Sequence, residues 1–189
     1  MDKRKLGIVL MLLAGLSLPI SVFSSSWRIF EGKDKTEWGS LTRDATYRLT
    51  TGLRSATKVK CPRKGPCESK TVHYQWSLFD KASGKAYFVF LQITFWAGLL
   101  ISAALLVGAW MLYARRGDSR LFLTALLVGT LVVLATAIFS IMDPGLYRGV
   151  TLHRAGFFGT GIGWAYLLFL GSCALALAGI GRAKRYDAA

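Results

Sequence analysis

Four long apolar runs dominate the pattern of hydrophobic and polar positions along the chain. None of them contains Asp, Glu, Lys, Arg or His, and they cover residues 6–23, 86–114, 121–142 and 155–181. A helix needs about 20 residues to cross the hydrocarbon core of a bilayer, so each run can span. The pattern predicts an all-α membrane protein, a four-helix transmembrane bundle in one domain, with outer loops at 24–85 and 143–154.

The first run also has features of a secretory signal peptide. Lys3, Arg4 and Lys5 precede it, and three serines follow it, an arrangement that signal peptides share. The run is nevertheless long for a signal peptide, and no Ala-x-Ala cleavage site follows it. These two features favour a helix that is retained in the protein.

Composition and charge agree with a membrane protein and suggest its orientation. Hydrophobic residues make up 53% of the chain and charged residues only 18%, whereas soluble domains carry about 25% charged residues. The net charge is +14, and basic residues cluster beside the helices at 3–5, 115–120 and 182–185. Cytoplasmic loops of membrane proteins are enriched in Lys and Arg. We therefore expect cytoplasmic termini in a multi-pass protein of the plasma or cytoplasmic membrane.

The long loop at 24–85 contains two segments in which apolar and polar residues alternate. Tyr47, Leu49 and Leu53 fall on one face of residues 46–53, and Val72 and Tyr74 begin a similar alternation over residues 71–79. Alternation with a period of two predicts half-buried strands. The fold class therefore includes a small β-sheet in the first extracytoplasmic loop.

Cys61 and Cys67 enclose a turn with two prolines and a glycine between the two predicted strands. In an oxidising outer compartment this pair is expected to form a disulfide across a hairpin. One alternative is a metal site that adds His73 and His153, although the spacing is not that of a zinc knuckle. The other alternative is a redox-active pair, which would need a Cys-x-x-Cys and a second pair, while Cys173 stands alone in the last run.

The apolar runs exclude several classes of function. Proton relays, ion pathways and voltage sensors need ionisable groups within the membrane, and a haem held between helices needs a ligand such as histidine; we expect no metal or other cofactor.

Small residues four apart, such as Gly98 and Ser102, permit close helix approach. Interhelical hydrogen bonds are expected from the intramembrane polar residues Gln92, Thr94, Ser102, Thr124, Thr130 and Ser140.

These residues together resemble the claudin and peripheral myelin protein superfamily of tetraspans. In that family the long first loop carries a Trp, then Gly-Leu-Trp, then two disulfide-bonded cysteines, and it forms a small sheet above the bundle. Here Trp27 follows the first run, Gly52-Leu53 comes next, and Cys61 and Cys67 follow. Arg54 stands where the second Trp of the family is expected, and the two cysteines are closer together.

The resemblance implies a structural role without enzymatic activity, in adhesion, membrane organisation, or as an auxiliary or pore-lining subunit. Trp27 and Gly52-Leu53 would anchor the sheet to the helices. The implied partners are membrane lipids and other membrane proteins or further copies of the chain, and not nucleic acid. One alternative is an accessory subunit of a larger membrane complex without claudin ancestry, and another is a membrane thiol-disulfide oxidoreductase.

The loop also carries a concentration of positive charge, which we call the basic set. A solvated strand edge would explain it, because edge lysines block unwanted sheet pairing. Contact with an anionic partner or lipid headgroup is the functional alternative. The basic set consists of Arg54, Lys58, Lys60, Arg63, Lys64 and Lys70.

Overall fold

The protein consists of a helical part and a sheet, in a computed structural model that describes residues 3–38, 41–62, 65–75, 82–114, 120–142 and 156–186. The four helices among these residues are α1 (Lys3–Phe23), α2 (Ala82–Ala114), α3 (Arg120–Met142) and α4 (Trp164–Tyr186). The five strands are β1 (Arg28–Trp38), β2 (Leu41–Thr51), β3 (Ser55–Pro62), β4 (Glu68–His73) and β5 (Gly156–Ile162).

All four of these helices are long and apolar enough to cross a membrane. Their buried positions alternate in steps of three and four residues; in α2, for example, the buried positions include Leu91, Phe95, Gly98, Ser102 and Leu105. This seven-residue repeat is typical of left-handed helix bundles. The expected helical bundle is therefore present in the described part of the chain.

The helix α1 packs against both α2 and α4, while α3 packs against α2 and, less extensively, against α4. Near its first turns α1 approaches α4 closely at Gly7 and Gly179, where a Cβ on Gly179 would lie 3.0 Å from the Gly7 carbonyl oxygen. The ambiguous first run thus forms a helix with two packing partners in the bundle. Its retention in the mature protein stays a prediction.

A side chain of α2 replaces the hydrogen bond that a proline removes from α1. Pro19 has no N–H, so the carbonyl of Gly15, four residues earlier, lacks its usual helical donor. The Ser102 hydroxyl of α2 donates to this Gly15 carbonyl at 2.6 Å. In hydrocarbon, where no water can replace a missing partner, this bond satisfies a backbone group that would otherwise be costly.

The other intramembrane hydroxyls for which hydrogen bonds between helices were expected bond within their own helices. Thr94, Thr124, Thr130 and Ser140 donate to carbonyls one turn earlier in their own helices. A hydroxyl at such a position reaches the carbonyl three or four residues back without help from another helix. A second contact between helices comes from residues that the expectation did not include, because the Ser17 and Ser172 hydroxyl oxygens lie 2.6 Å apart.

The helix predicted over 155–181 begins later than expected. Residues 156–162 form β5, and α4 starts at Trp164. Three glycines and β-branched Thr160 and Ile162 lie in this strand, and both residue types disfavour a helix. Apolar composition alone therefore gave the wrong secondary structure at the start of the fourth run.

The sheet is antiparallel, with strand order β4-β3-β2-β1-β5. The expected direct pairing of residues 46–53 with 71–79 is wrong, because β3 lies between β2 and β4. Leu53 lies beyond the end of β2, β4 ends at His73, and residues 76–79 lie outside the described residues. The strands β1, β3 and β5 were not predicted.

The two faces of strand β2 differ in burial. Leu49 and Thr51 of β2 are buried on one face, while Thr46 and Arg48 on the opposite face are exposed. The alternation predicted for this strand is therefore present at these positions. The buried face lies toward the core that the helices and sheet share.

Candidate functional site at the junction of sheet and helices

Three chain segments meet between the sheet and the helices, beside the aromatic residue Phe95 of α2. The segments are residues 24–27 after α1, residues 52–54 between β2 and β3, and residues 163–166 at the start of α4. We call this meeting point the junction. It joins elements that are more than a hundred residues apart in sequence.

Trp27 lies at the centre of the junction and is 3% exposed. Its indole Nε1 donates to the Ser21 carbonyl at 2.7 Å, which satisfies the one polar atom of a buried tryptophan side chain. The indole ring lies against two aromatic side chains of α4, with centroid distances of 5.0 Å to Phe169 and 5.6 Å to Tyr166. The side chain therefore links the end of α1 to α4.

The backbone of Trp27 links the same helices to the sheet. Its N–H donates to the Thr51 carbonyl of β2, and its carbonyl accepts from the Gly163 N–H before α4, both at 2.8 Å. Ala165 N–H also donates to the Ser26 carbonyl at 3.2 Å. Pairing between β1 and β5 continues this connection into the sheet.

Two glycines allow these backbones to approach. A Cβ on Gly52 would lie 2.5 Å from the Ser24 carbonyl oxygen and 2.8 Å from the Ser25 Cα. A Cβ on Gly163 would overlap the Ser26 carbonyl oxygen and lie 2.6 Å from the Ser26 carbonyl carbon. Backbone atoms cannot turn aside as a flexible side chain can, so both positions require glycine.

The other residues of the turn between β2 and β3 fill the α2 side of the junction. Leu53 is 1% exposed, and the Gly52 N–H closes the turn by donating to the Ser55 carbonyl at 2.8 Å. Arg54 is exposed and places its guanidinium carbon 4.9 Å from the centroid of the Phe95 ring. This contact puts a cation on an aromatic ring at the position where the resembled family carries tryptophan.

At the opposite end of β3 and β4, the predicted disulfide joins Cys61 and Cys67, with their Cα atoms 4.2 Å apart. We call β3, β4 and the loop between them the distal hairpin. Gly65 in that loop has a φ of 122°, a conformation that favours glycine. The disulfide occupies both sulfur atoms that the alternative metal site would have used, and His153 lies outside the described residues.

Threonines form a row across the exposed face of the sheet. Thr50, Thr57 and Thr71 lie directly opposite one another on β2, β3 and β4. The Thr57 and Thr71 hydroxyl oxygens are 3.0 Å apart, and the Thr50 hydroxyl donates to the Thr57 carbonyl at 3.4 Å. These bonds connect the distal hairpin to β2.

The basic set does not form one uniform patch. Lys58 lies directly opposite Lys70, and Lys60 lies opposite Glu68, all on the face that carries Leu49. Arg54 instead lies over Phe95 at the junction. Arg63 and Lys64 lie outside the described residues.

The junction contains residues that sequence reasoning did not connect. Trp27, Gly52 and Leu53 were selected by the resemblance, and the structure places all three there. Gly163 lies in a glycine-rich stretch, and the glycine spacing from 156 to 163 could have signalled a close backbone approach. Nothing in the sequence signals the contact between Arg54 and Phe95.

No protein-family model and no curated protein matches the chain.

Proposed function

We propose that the chain is a claudin-like membrane tetraspan that organises membranes or cell contacts through its sheet and has no enzymatic activity. The observation that carries this proposal is the double attachment of the sheet. Strand β1 follows α1, β5 precedes α4, and the two strands pair with each other above the helices. The backbone of Trp27 adds hydrogen bonds to Thr51 of β2 and to Gly163 before α4.

A sheet attached in this way presents a surface whose position relative to the helices is fixed. Rotation about a single linker would require breaking the pairing of β1 with β5 or the backbone bonds of Trp27. A fixed polar surface above a membrane is suited to contact with other proteins or membranes. The spans are apolar and uncharged, which favours a structural role for the helices over a transport pathway.

The location of the resembling residues adds support for claudin-like architecture. Trp27, Gly52 and Leu53 are far apart in sequence, and all three lie in the junction that fastens sheet to bundle. The disulfide pair closes the distal hairpin. Each resembling residue thus has a structural task that suits an anchored sheet.

The proposed topology has cytoplasmic termini and an extracytoplasmic sheet. It is tested with single cysteines at Ser40, Ser119 and Ala188 in a background that lacks the native cysteines. An impermeant thiol reagent added from outside should label position 40 and leave positions 119 and 188 unlabelled until the membrane is permeabilised. Labelling of position 119 from outside would contradict the four-span topology.

The proposed function is tested by reconstituting the purified chain into lipid vesicles. We expect the isolated chain to remain folded, copies with two different tags to co-purify from one bilayer, and vesicles carrying the protein to cluster more than protein-free vesicles. A matched sample with Gly163→Ala, which disturbs the junction, should lose clustering. Gly171→Ala should not, because a Cβ there meets no atom within 4 Å.

Two experimental outcomes would favour one of the alternative functions over this proposal. A chain that folds only together with other polypeptides would indicate an accessory subunit of a larger complex. Quinone reduction that depends on Cys61 and Cys67 would indicate a thiol-disulfide oxidoreductase.

A further inference from the structure

We propose that Arg54 and the aromatic residues beside it bind the phosphate group of a phospholipid, in the leaflet on the sheet side of the membrane. The site requires only that the four helices cross a bilayer, and it does not depend on a claudin-like role. It arises from the residue at which this chain departs from the pattern of that family.

The position of Arg54 is set by its backbone neighbours. Leu53 is buried immediately before it, and β3 begins immediately after it. Its own carbonyl accepts a hydrogen bond from the Tyr74 N–H at 2.7 Å. The side chain therefore leaves the backbone from a fixed point and reaches Phe95 of α2.

The guanidinium lies over an aromatic ring that is itself held on two sides. Phe95 is buried, and its ring meets Phe23 and Trp96 edge-on, with centroid distances of 5.4 Å and 5.2 Å. A ring of this kind attracts a cation through its negative face. It offers no lone pair to the guanidinium N–H groups, so these groups can donate to a phosphate while the guanidinium stays over the ring.

The site lies at the level where phospholipid headgroups are expected. Phe23 ends α1 and is 64% exposed, and Trp164, which begins α4, is 53% exposed. Exposed aromatic residues at helix ends mark the boundary between hydrocarbon and headgroups, with tryptophan typical of this level. Because the Phe95 ring contacts Phe23, the last residue of α1, Arg54 is placed at that boundary.

The chemistry of arginine matches the phosphate of a lipid at this depth. Guanidinium presents its N–H donors in a planar fork that fits two phosphate oxygens, and it stacks on aromatic rings at the same time. It is also less strongly hydrated than an ammonium group, which favours arginine over lysine at an interface with little water. Phe23 and Trp96 would contact the upper part of the lipid chains.

The rest of the basic set is located elsewhere. Lys70 lies on β4 opposite Lys58, which follows Arg54 by four residues along β3. At roughly 3.3 Å per residue, this places the lysine pair about 13 Å from Arg54 along the strand. Lys70 is therefore a matched control, because Lys70→Gln removes the same charge from the same loop without touching the site.

The test measures lipid binding to the full purified chain in detergent by native mass spectrometry, with dioleoylphosphatidylglycerol as the probe. We expect Arg54→Gln to weaken binding about tenfold, the size expected for loss of one charge-assisted hydrogen bond. Arg54→Lys should bind with intermediate affinity, and Lys70→Gln should bind like the wild type. An excess of inorganic phosphate should not displace the lipid.

A second variant separates binding from folding. Arg54→Trp keeps an aromatic partner for Phe95 and removes the charge, so it should retain the thermal stability of the wild type and still lose lipid binding. Equal lipid affinity in the wild type and Arg54→Trp would overturn the proposal. Equal losses in Arg54→Gln and Lys70→Gln would assign binding to diffuse charge, and displacement by inorganic phosphate would assign the site to a free anion.

Discussion

The two ends of the sheet are held by different means. At the junction, buried Trp27 and two close-packed glycines join backbone to backbone. In the distal hairpin, every residue of β4 is exposed, and a disulfide and a row of threonines hold the strands. The difference shows how the available core decides the means of stabilisation, because a covalent link substitutes for packing where little apolar surface can be buried.

The largest effect should come from adding a methyl group at the junction. In Gly163→Ala the new Cβ would overlap the Ser26 carbonyl oxygen, and the backbone must shift to relieve the overlap. We expect the free energy of unfolding, measured by titration of mixed micelles with denaturing detergent, to fall by about 3 kcal/mol. A cysteine introduced among the buried residues of the junction should react faster with a thiol reagent, because the sheet separates from the helices.

Gly171→Ala is the control for this change, since it makes the same substitution in α4 where a Cβ meets no atom within 4 Å. It should leave stability unchanged or raise it slightly, because alanine is the better helix former. If both variants were equally stable, the close approach at Gly163 would not hold the junction.

Removal of the disulfide should affect the distal hairpin and leave the junction in place. Replacing both Cys61 and Cys67 with Ser releases a short loop, and the chain-entropy estimate is a loss of about 2 kcal/mol. Proteolysis should become faster within the hairpin, while membrane insertion and the fluorescence of Trp27, measured as the difference from a chain with Trp27→Phe, stay unchanged. A simultaneous change in Trp27 fluorescence would show that the two ends of the sheet are coupled.

Trp27→Phe probes a single bond of the junction. Phenylalanine keeps an aromatic ring beside Phe169 but cannot donate to the Ser21 carbonyl, which Trp27 Nε1 reaches at 2.7 Å. We expect a loss of about 1 kcal/mol, the usual net contribution of a hydrogen bond, in the same detergent titration. A larger loss would mean that the shape of the indole contributes more than its hydrogen bond.

The smallest effect is expected at the threonine row. Thr57→Val preserves the shape of the side chain and removes the hydroxyl that lies 3.0 Å from the Thr71 hydroxyl. Because the bond is exposed to water, its loss should cost about 0.5 kcal/mol. Hydrogen exchange of β4 amides should rise, whereas exchange of β1 amides should not.

The four long apolar helices of the described residues and part of β2 could be predicted because they depend on local patterns. An uncharged run such as 121–142 identifies a span by its length, and the alternation around Leu49 identifies a strand face. Strand β1 was missed because Lys33, Asp34 and Lys35 interrupt its alternation. Its pairing with β2 and β5 overrides that weak local signal.

The candidate site was predictable only in part. Family resemblance selected Trp27, Gly52 and Leu53, but the meeting of Arg54 with Phe95 depends on how β3 sits above α2, which no local pattern contains. The wrong helix start at residue 155 has a related cause. An apolar strand next to an apolar helix looks like one long span when only composition is considered.

The bond from Ser102 to Gly15 has a consequence for how the chain enters a bilayer. During synthesis α1 is made before α2, and Pro19 leaves the Gly15 carbonyl without its helical donor until α2 arrives. A carbonyl without a partner is costly in hydrocarbon, so release of α1 into lipid alone is less favourable than release together with α2. We therefore expect the insertion machinery to hold α1 until α2 has been made, and to release the two as a pair.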